Sequence, residues 1–248
     1  MTPEKQQKID TLLIPAARFT GSASLFLFGL FLFFGARSVI DIRLSEVNVM
    51  RWNAMLSVLF FIQHSSMVRR SLNARLINYL PGHYHGALYT IISGAVLTAV
   101  VVLWQPSNTL LLELQGVSRW IARGIFILGA AGFTWGVRAL QSFDAYGDAR
   151  IKAHLRGIEP EAQIFSVSGP YLWVRHPLYF FTLLLIWSCP DLTVDRLLFN
   201  VLWTAWIYIG TLLEEKDLRA VFGDKYQCYQ QKVPMLIPWK GLVNIPTL

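Results

Sequence analysis

Four stretches of the chain, Phe19 to Ala36, Trp52 to Val68, Tyr84 to Trp104 and Trp120 to Leu140, are mostly apolar. Each is about as long as a helix must be to cross the hydrocarbon of a bilayer, roughly 17 to 20 residues. The first of them carries no charge. Lipid offers no partner to a backbone N–H or C=O, so such runs must fold as helices that satisfy their own polar groups. A fifth apolar run, Leu178 to Cys189, is short and is ended by Pro190-Asp191, and Arg196 to Leu213 is again full length. The expected fold is all-α: a polytopic integral membrane helical bundle of five to six transmembrane segments, the last two forming a helical hairpin.

Composition supports the lipid bilayer as the principal partner. Of 248 residues 54% are hydrophobic and 15% charged, against about a quarter charged in soluble domains, which excludes a disordered chain, a coiled coil and a collagenous one. The net charge of +7 comes without a basic recognition helix, a stacking signature or zinc-finger spacing, so nucleic acid is not an expected partner. The bases instead cluster at segment ends. Six segments put both termini on one side, and that side collects fifteen of the 22 Lys and Arg: Lys5, Lys8, Arg18, Arg69, Arg70, Arg75, Arg150, Lys152, Arg156, Arg175, Lys216, Arg219, Lys225, Lys232 and Lys240. Arg37, Arg43, Arg51, Arg119 and Arg196 fall on the other side, and Arg123 and Arg138 lie one turn inside a span, where they can snorkel. The positive-inside rule then makes the N- and C-termini cytoplasmic. The polar start, without a small-residue cleavage pattern, implies that the first helix is retained. Cys189 and Cys228 cannot build a disulfide framework and are expected as free thiols. The chain reads as one membrane domain, 1–248, with four N-terminal spans in 1–140 and the polar loop, hairpin and tail in 141–248.

Several polar residues stand out against this background. Gln63 and His64 lie within the second span, where a polar side chain marks either a functional site or an interhelical hydrogen bond. Gly21, Ser22, Ala23 and Ser24 are small enough for close helix contact. His83 and His85 flank Tyr84, but their spacing does not share a helix face and no acid or Cys completes a set, so no metal is expected. Asp144 and His154, between spans four and five, are candidates for closing over a substrate. Trp104, Trp120 and Trp239 are expected as interfacial anchors.

The densest chemistry lies at Gly169-Pro170-Tyr171-Leu172-Trp173-Val174-Arg175-His176-Pro177-Leu178-Tyr179. A proline suits the first turn of a helix, so Arg175 and His176 should sit at the N-terminal mouth of the fifth segment beside unpaired amide donors, a place suited to an anion. Glu214-Glu215 close the sixth segment, where acids oppose the helix dipole and need partners. Segments five and six run antiparallel, so Arg175, His176, Glu214 and Glu215 should be neighbours at one membrane face. A cation beside two carboxylates suits a zwitterionic ligand with an apolar portion.

The order Arg175-His176-Pro177-Leu178-Tyr179, hairpin, Glu214-Glu215, Leu218, Phe222-Gly223, Tyr226, Tyr229 and Val233-Pro234-Met235-Leu236-Ile237-Pro238 resembles the isoprenylcysteine carboxyl methyltransferase and phospholipid methyltransferase superfamily over about the last 80 residues. Gln63-His64-Ser65-Ser66-Met67-Val68-Arg69 and His154-Leu155-Arg156-Gly157 resemble its bacterial methanethiol S-methyltransferase-like branch. That branch commonly has an Asn-His-Phe-Asp-type stretch where this chain has Gln141-Ser142-Phe143-Asp144 and lacks the histidine. The resemblance implies S-adenosyl-L-methionine as cofactor, held by Tyr171, Arg175, His176, Pro177, Leu178, Tyr179, Glu214, Glu215 and Tyr229, with His64, Arg175 and Glu215 catalytic. Gln63, His64, Asp144 and His154 would face the methyl acceptor. The implied reaction is methyl transfer to a small or lipophilic acceptor, foremost a thiol, with an isoprenylcysteine-type carboxylate or a phospholipid amine as alternatives. From other classes, a non-catalytic membrane accessory protein of nitrogen-oxide respiration would keep the hairpin for structure. A transporter would show paired broken helices, of which only the Pro190 break is present.

Overall fold

The computed structural model describes residues 3–68, 81–140, 144–158 and 165–241. The loop carrying Arg69, Arg70 and Arg75, and Gln141 to Phe143 with the missing histidine, lie outside them. The described residues form eight α-helices: α1 (Pro3–Phe34), α2 (Glu46–Val68), α3 (His85–Leu103), α4 (Gly116–Ala139), α5 (Ala149–Leu155), α6 (Pro177–Trp187), α7 (Val194–Phe222) and α8 (Asp224–Lys232). The protein is an all-α integral membrane bundle, as the apolar runs require. Four helical stretches, Ile9–Phe34, Gly82–Leu103, Gly116–Ala139 and Val194–Phe222, are long and apolar enough to span a bilayer. The helix over the second expected span, α2, has the length but is not among those four, since Asn48, Arg51, Asn53 and Gln63 to Ser66 dilute its apolar run.

Two differences from expectation have local causes. The first helix begins well before Phe19, because Leu12 to Ala17 continue the apolar face and Ala17 is fully buried. The last span continues two turns past Leu213, because Glu214 to Val221 are mostly good helix formers. Glu214 and Glu215 therefore lie inside α7 rather than at its C-terminus. The helix stops at Gly223, whose φ of +55° lets the chain turn directly into α8.

The chain divides into two compact units: residues 1–31, 36–106 and 144–162, and residues 32–35, 107–143 and 163–248. In the first, polar groups join α2 to α3 at both ends. Asn53, fully buried, donates to the Gln105 carbonyl at 2.7 Å and accepts from its amide at 3.0 Å, while Gln63 donates to Ser93 at 3.1 Å. Gly21 faces Thr90 and Tyr146, and Ser22 is hydrogen-bonded to the Tyr146 hydroxyl at 3.0 Å, so this run of small residues does serve close packing. Trp104 is fully buried against Phe31 and is not an interfacial anchor, whereas Trp120 and Trp239 are exposed. Asp148 accepts from Arg18 at 2.6 Å and from Lys152 at 2.8 Å.

In the second unit, α6 packs along α4. Gly129, Gly132 and Gly136 meet Leu185, Phe181 and Leu178 in turn, so the two backbones approach without side chains between them on the α4 side. The eleven residues of α6 rise about 16 Å, half the hydrocarbon thickness, and a short antiparallel pairing completes the hairpin: β1 (Leu110–Glu113) with β2 (Asp191–Thr193). Arg119 clamps Asp191 there with two bonds of 2.7 Å. This ladder escapes a reading by apolar runs because each strand is only three or four residues long. Arg123 does not simply reach for water. Its guanidinium donates to the Phe33 carbonyl and lies 4.0 Å over the Phe33 ring.

A methyl group at Gly132 would stand 2.2 Å from the Phe181 ring. Gly132→Ala should lower stability by about 1–3 kcal/mol, and adding Phe181→Ala should recover part of the loss. Thermal unfolding of the detergent-solubilised variants measures both; additive losses would mean that the two residues do not oppose one another. Burial pushes the Asp148 carboxyl up, but the hydrogen bonds from Lys152 and Arg18 outweigh it and hold the group below its usual value. Its contribution is therefore present at neutral pH, above the unfolded carboxylate range, and is lost as pH falls through the lowered folded value. Asp148→Asn should flatten that part of the stability profile in melts between pH 7 and pH 3.

Candidate active site

The site belongs to the second unit and is assembled by three pieces of chain. Gly169, at φ +57°, starts a 3-10 turn through Leu172, fixed to α4 where Ser168 donates to the Ala139 carbonyl at 3.0 Å and where Trp173 meets Trp135 edge to face. The turn delivers Arg175 and His176 to the start of α6, with Pro177 as the first helical residue. The tail then crosses this corner: the Arg175 amide donates to the Pro234 carbonyl at 2.9 Å and the His176 amide to that of Met235 at 3.1 Å.

Glu215 is the hub. It is buried, and Arg175 forks onto it, Nε to Oε1 at 2.7 Å and Nη2 to Oε2 at 3.0 Å. His176 Nε2 stands 2.9 Å from Oε1, Tyr226 donates to Oε1 at 3.0 Å, and Gln230 donates to Oε2. A carboxylate offers about four lone-pair positions, so these five donors saturate it. Arg175 Nη1 is turned to the carbonyls of Gln230, at 3.0 Å, and Val233. The orientation of the Gln230 amide follows from Arg219, which donates to its Oε1 at 2.7 Å and leaves the nitrogen for Glu215.

Glu214 differs from its neighbour. Its side chain is 43% exposed, yet Oε2 is buried without a hydrogen-bond partner, 3.6 Å from His176 Nδ1. The Tyr179 ring stacks parallel to the His176 imidazole at 5.6 Å. Tyr229 is buried with Phe165 and Tyr226, its hydroxyl donated to the Tyr171 carbonyl at 2.6 Å, so it ties α8 to the turn before the corner. Burial raises the phenols of Tyr171, Tyr226 and Tyr229 above the usual tyrosine range, with the Glu215 charge adding to the effect on Tyr226; Tyr226 thus remains a donor throughout the physiological range.

The structure brings together Tyr171, Arg175, His176, Pro177, Leu178, Tyr179, Glu214, Glu215 and Tyr229. The other singled-out residues belong to the first unit. His64 is hydrogen-bonded to the Tyr89 hydroxyl, 2.9 Å from Nε2, and Gln63 to Ser93. Asp144 accepts from the amides of Asp148, at 3.0 Å, and Ala149, at 2.8 Å, holding the start of α5, and His154 stacks on His83 at 4.0 Å. Among the described residues no three His, Cys, Asp or Glu side chains group as metal ligands. Gln230 escaped the sequence reading, although Tyr226, Tyr229, Gln230 and Val233 mark one helical face at i, i+3, i+4 and i+7.

Tyr226→Phe should cost about 1–3 kcal/mol, because the buried carboxylate loses a donor. Glu215→Gln should cost more, about 3–5 kcal/mol, because it leaves the largely buried Arg175 cation unpaired. Equilibrium unfolding in detergent ranks the two, and an unchanged midpoint for Glu215→Gln would show that the pair holds nothing together.

No family model matches the chain, and no solved structure does. Among curated proteins, methanethiol S-methyltransferase of a Pseudomonas species is 37% identical over 194 residues, 75% of this chain and 72% of the relative. Methanethiol S-methyltransferase 2 of Bradyrhizobium diazoefficiens is 34% identical over 186 residues, again 75% and 72%. The enzyme of that name from Pseudomonas deceptionensis is 33% identical over 187 residues, 75% and 71%. With apolar helices of membrane-spanning length and these relatives, the chain is an integral membrane methyltransferase that belongs to the methanethiol S-methyltransferase family, a branch of the isoprenylcysteine carboxyl methyltransferase superfamily.

Proposed function

We propose that the protein transfers a methyl group from S-adenosyl-L-methionine to a small thiol. The observation that carries this is the orphaned, buried Glu214 Oε2 beside a saturated Arg175–Glu215 pair. That pair is neutral as a whole, so Glu214 leaves the corner with one negative charge and an acceptor lacking a donor. A ligand with an ammonium group meets both needs.

The residues divide the work accordingly. Glu214 receives the ammonium of the methyl donor, and the start of α6, at Leu178, receives its carboxylate on the helix-start amides. Tyr171 and Tyr179 contact its adenosine. Arg175 and His176 are each bonded to Glu215 and hold the corner in shape, with Pro177 fixing the helix start and Tyr229 tying the tail to Tyr171. When bound, the donor supplies an electrophilic methyl on a sulfonium, which a sulfur nucleophile displaces in line. The protein then needs only to align the partners, exclude water and let the thiol react as thiolate, favoured beside positive charge.

The thiol is favoured over a carboxylate or an amine because the relatives are named for methanethiol. Fifteen of 22 cationic residues at the termini and on one set of alternating loops support cytoplasmic termini, and the bacterial relatives support an inner membrane as the location.

The test is incubation of the purified protein with methyl-labelled S-adenosyl-L-methionine and a panel of thiols, carboxylates and amines. Label is expected in the thioether. Glu214→Gln should abolish transfer while stability changes by no more than about 0.5 kcal/mol, since the side chain is half-exposed. Unimpaired transfer by that variant would remove Glu214 from the site, and label only in an ester or methylated amine would replace the thiol.

A further inference from the structure

His176 links the two glutamates and has one ring nitrogen for each. Nε2 is 2.9 Å from Glu215 Oε1, and an ionised carboxylate only accepts, so Nε2 carries a proton in either charge state of the ring. The second proton is therefore gained or lost at Nδ1, the nitrogen facing Glu214 Oε2. Their separation of 3.6 Å is beyond hydrogen-bond reach. With Nδ1 bare, the seat consists of two acceptors, an imidazole lone pair and a buried carboxylate oxygen, and nothing at hand donates to that oxygen. With Nδ1 protonated, the imidazolium supplies both the donor and the compensating charge.

We propose that the ammonium of the methyl donor and the Nδ1 proton of His176 compete for Glu214, so that ligand binding expels a proton from the corner. The inference rests on the methyl-donor assignment above and adds to it a charge-exchange step. Its balance is simple: an imidazolium and a ligand ammonium enter, the ammonium takes the seat, and one proton leaves for solvent with no bond to carbon made or broken.

The surroundings leave Glu214 as the deciding charge. From α7, Glu214 and Glu215 face the ring; Arg175, next to it in the chain, neutralises Glu215 through two hydrogen bonds. From α8, Tyr226 and Gln230 are directed at Glu215. From α6, the Tyr179 ring stacks on the imidazole, and in the turn before the corner Tyr171, whose phenol burial keeps neutral, lies near Glu214. His176 is itself buried, so the ring is held in place between the two glutamates.

The experiment is titration calorimetry of the full-length protein in lipid nanodiscs with S-adenosylhomocysteine, which keeps the amino-acid end, between pH 8 and pH 5.5. Two buffers of different ionisation enthalpy count the protons. Release approaching one proton per ligand is expected on the acid side, with Kd rising toward about tenfold per pH unit. The analogue in which hydrogen replaces the amino group should bind more weakly and release none. His176→Asn, which cannot take up the proton, should bind S-adenosylhomocysteine without the acid slope. Equal proton release with the analogue, or none with S-adenosylhomocysteine, overturns the exchange while leaving the methyl-donor assignment standing. Absence of binding at every pH overturns that assignment and the exchange with it. Should His176→Asn fail to fold, the analogue comparison on the unaltered protein decides alone.

Discussion

The corner depends on a single buried ion pair. Arg175 and Glu215 come from different helices, and each is largely removed from water. Two charges so placed are tolerable only when nearly every donor and acceptor is used, and here the fork between them is supplemented by His176, Tyr226, Gln230 and two backbone carbonyls. The result is a neutral, rigid knot. Because it consumes Glu215 entirely, the adjacent Glu214 becomes the group with binding capacity to spare. Two identical residues side by side thus end in opposite states, one with every acceptor engaged and one with an acceptor unmet, through burial and partner count alone.

The knot is held in position by packing that involves no charge. Glycines on α4 let α6 approach closely, which fixes where its first turn, and therefore Pro177 and His176, must lie. At the opposite end of the hairpin the β1–β2 pairing and the Arg119–Asp191 clamp set the turn between α6 and α7. With both ends fixed, the start of α6 and the last turns of α7 face one another. The tail then closes over them, joined through backbone hydrogen bonds at Pro234 and Met235. In lipid, where apolar surface alone gives helices little reason to associate, small-residue contact and polar closure of this kind carry the assembly.

The membrane class was legible because a bilayer imposes a minimum length on apolar runs, and Phe19 to Ala36, Tyr84 to Trp104 and Trp120 to Leu140 meet it without ambiguity. The neighbourhood of Arg175, His176, Glu214 and Glu215 was legible for a topological reason: an antiparallel hairpin returns its ends to one face. The resemblance to a methyltransferase superfamily rested on the same residues. What escaped was whatever apolar length does not encode, including the strands of three and four residues, the burial of Trp104, and the extension of α7 beyond Leu213. A boundary judged by hydropathy marks the edge of lipid, whereas a helix ends where backbone conformation changes, here at Gly223.

By itself the sequence determined that this chain is an all-helical membrane protein and that a cation, an imidazole and two carboxylates meet at one end of its terminal hairpin, since lipid and helix geometry leave few alternatives. Only the tertiary structure decided how those groups share their bonds. Saturation depends on distances and angles among residues up to 58 positions apart, such as Arg175 and the Val233 carbonyl, and no linear pattern specifies which of two adjacent glutamates turns inward. That choice, Glu215 into the knot and Glu214 beside it with one acceptor unpaired, is what leaves this cluster of polar residues with one unmet charge.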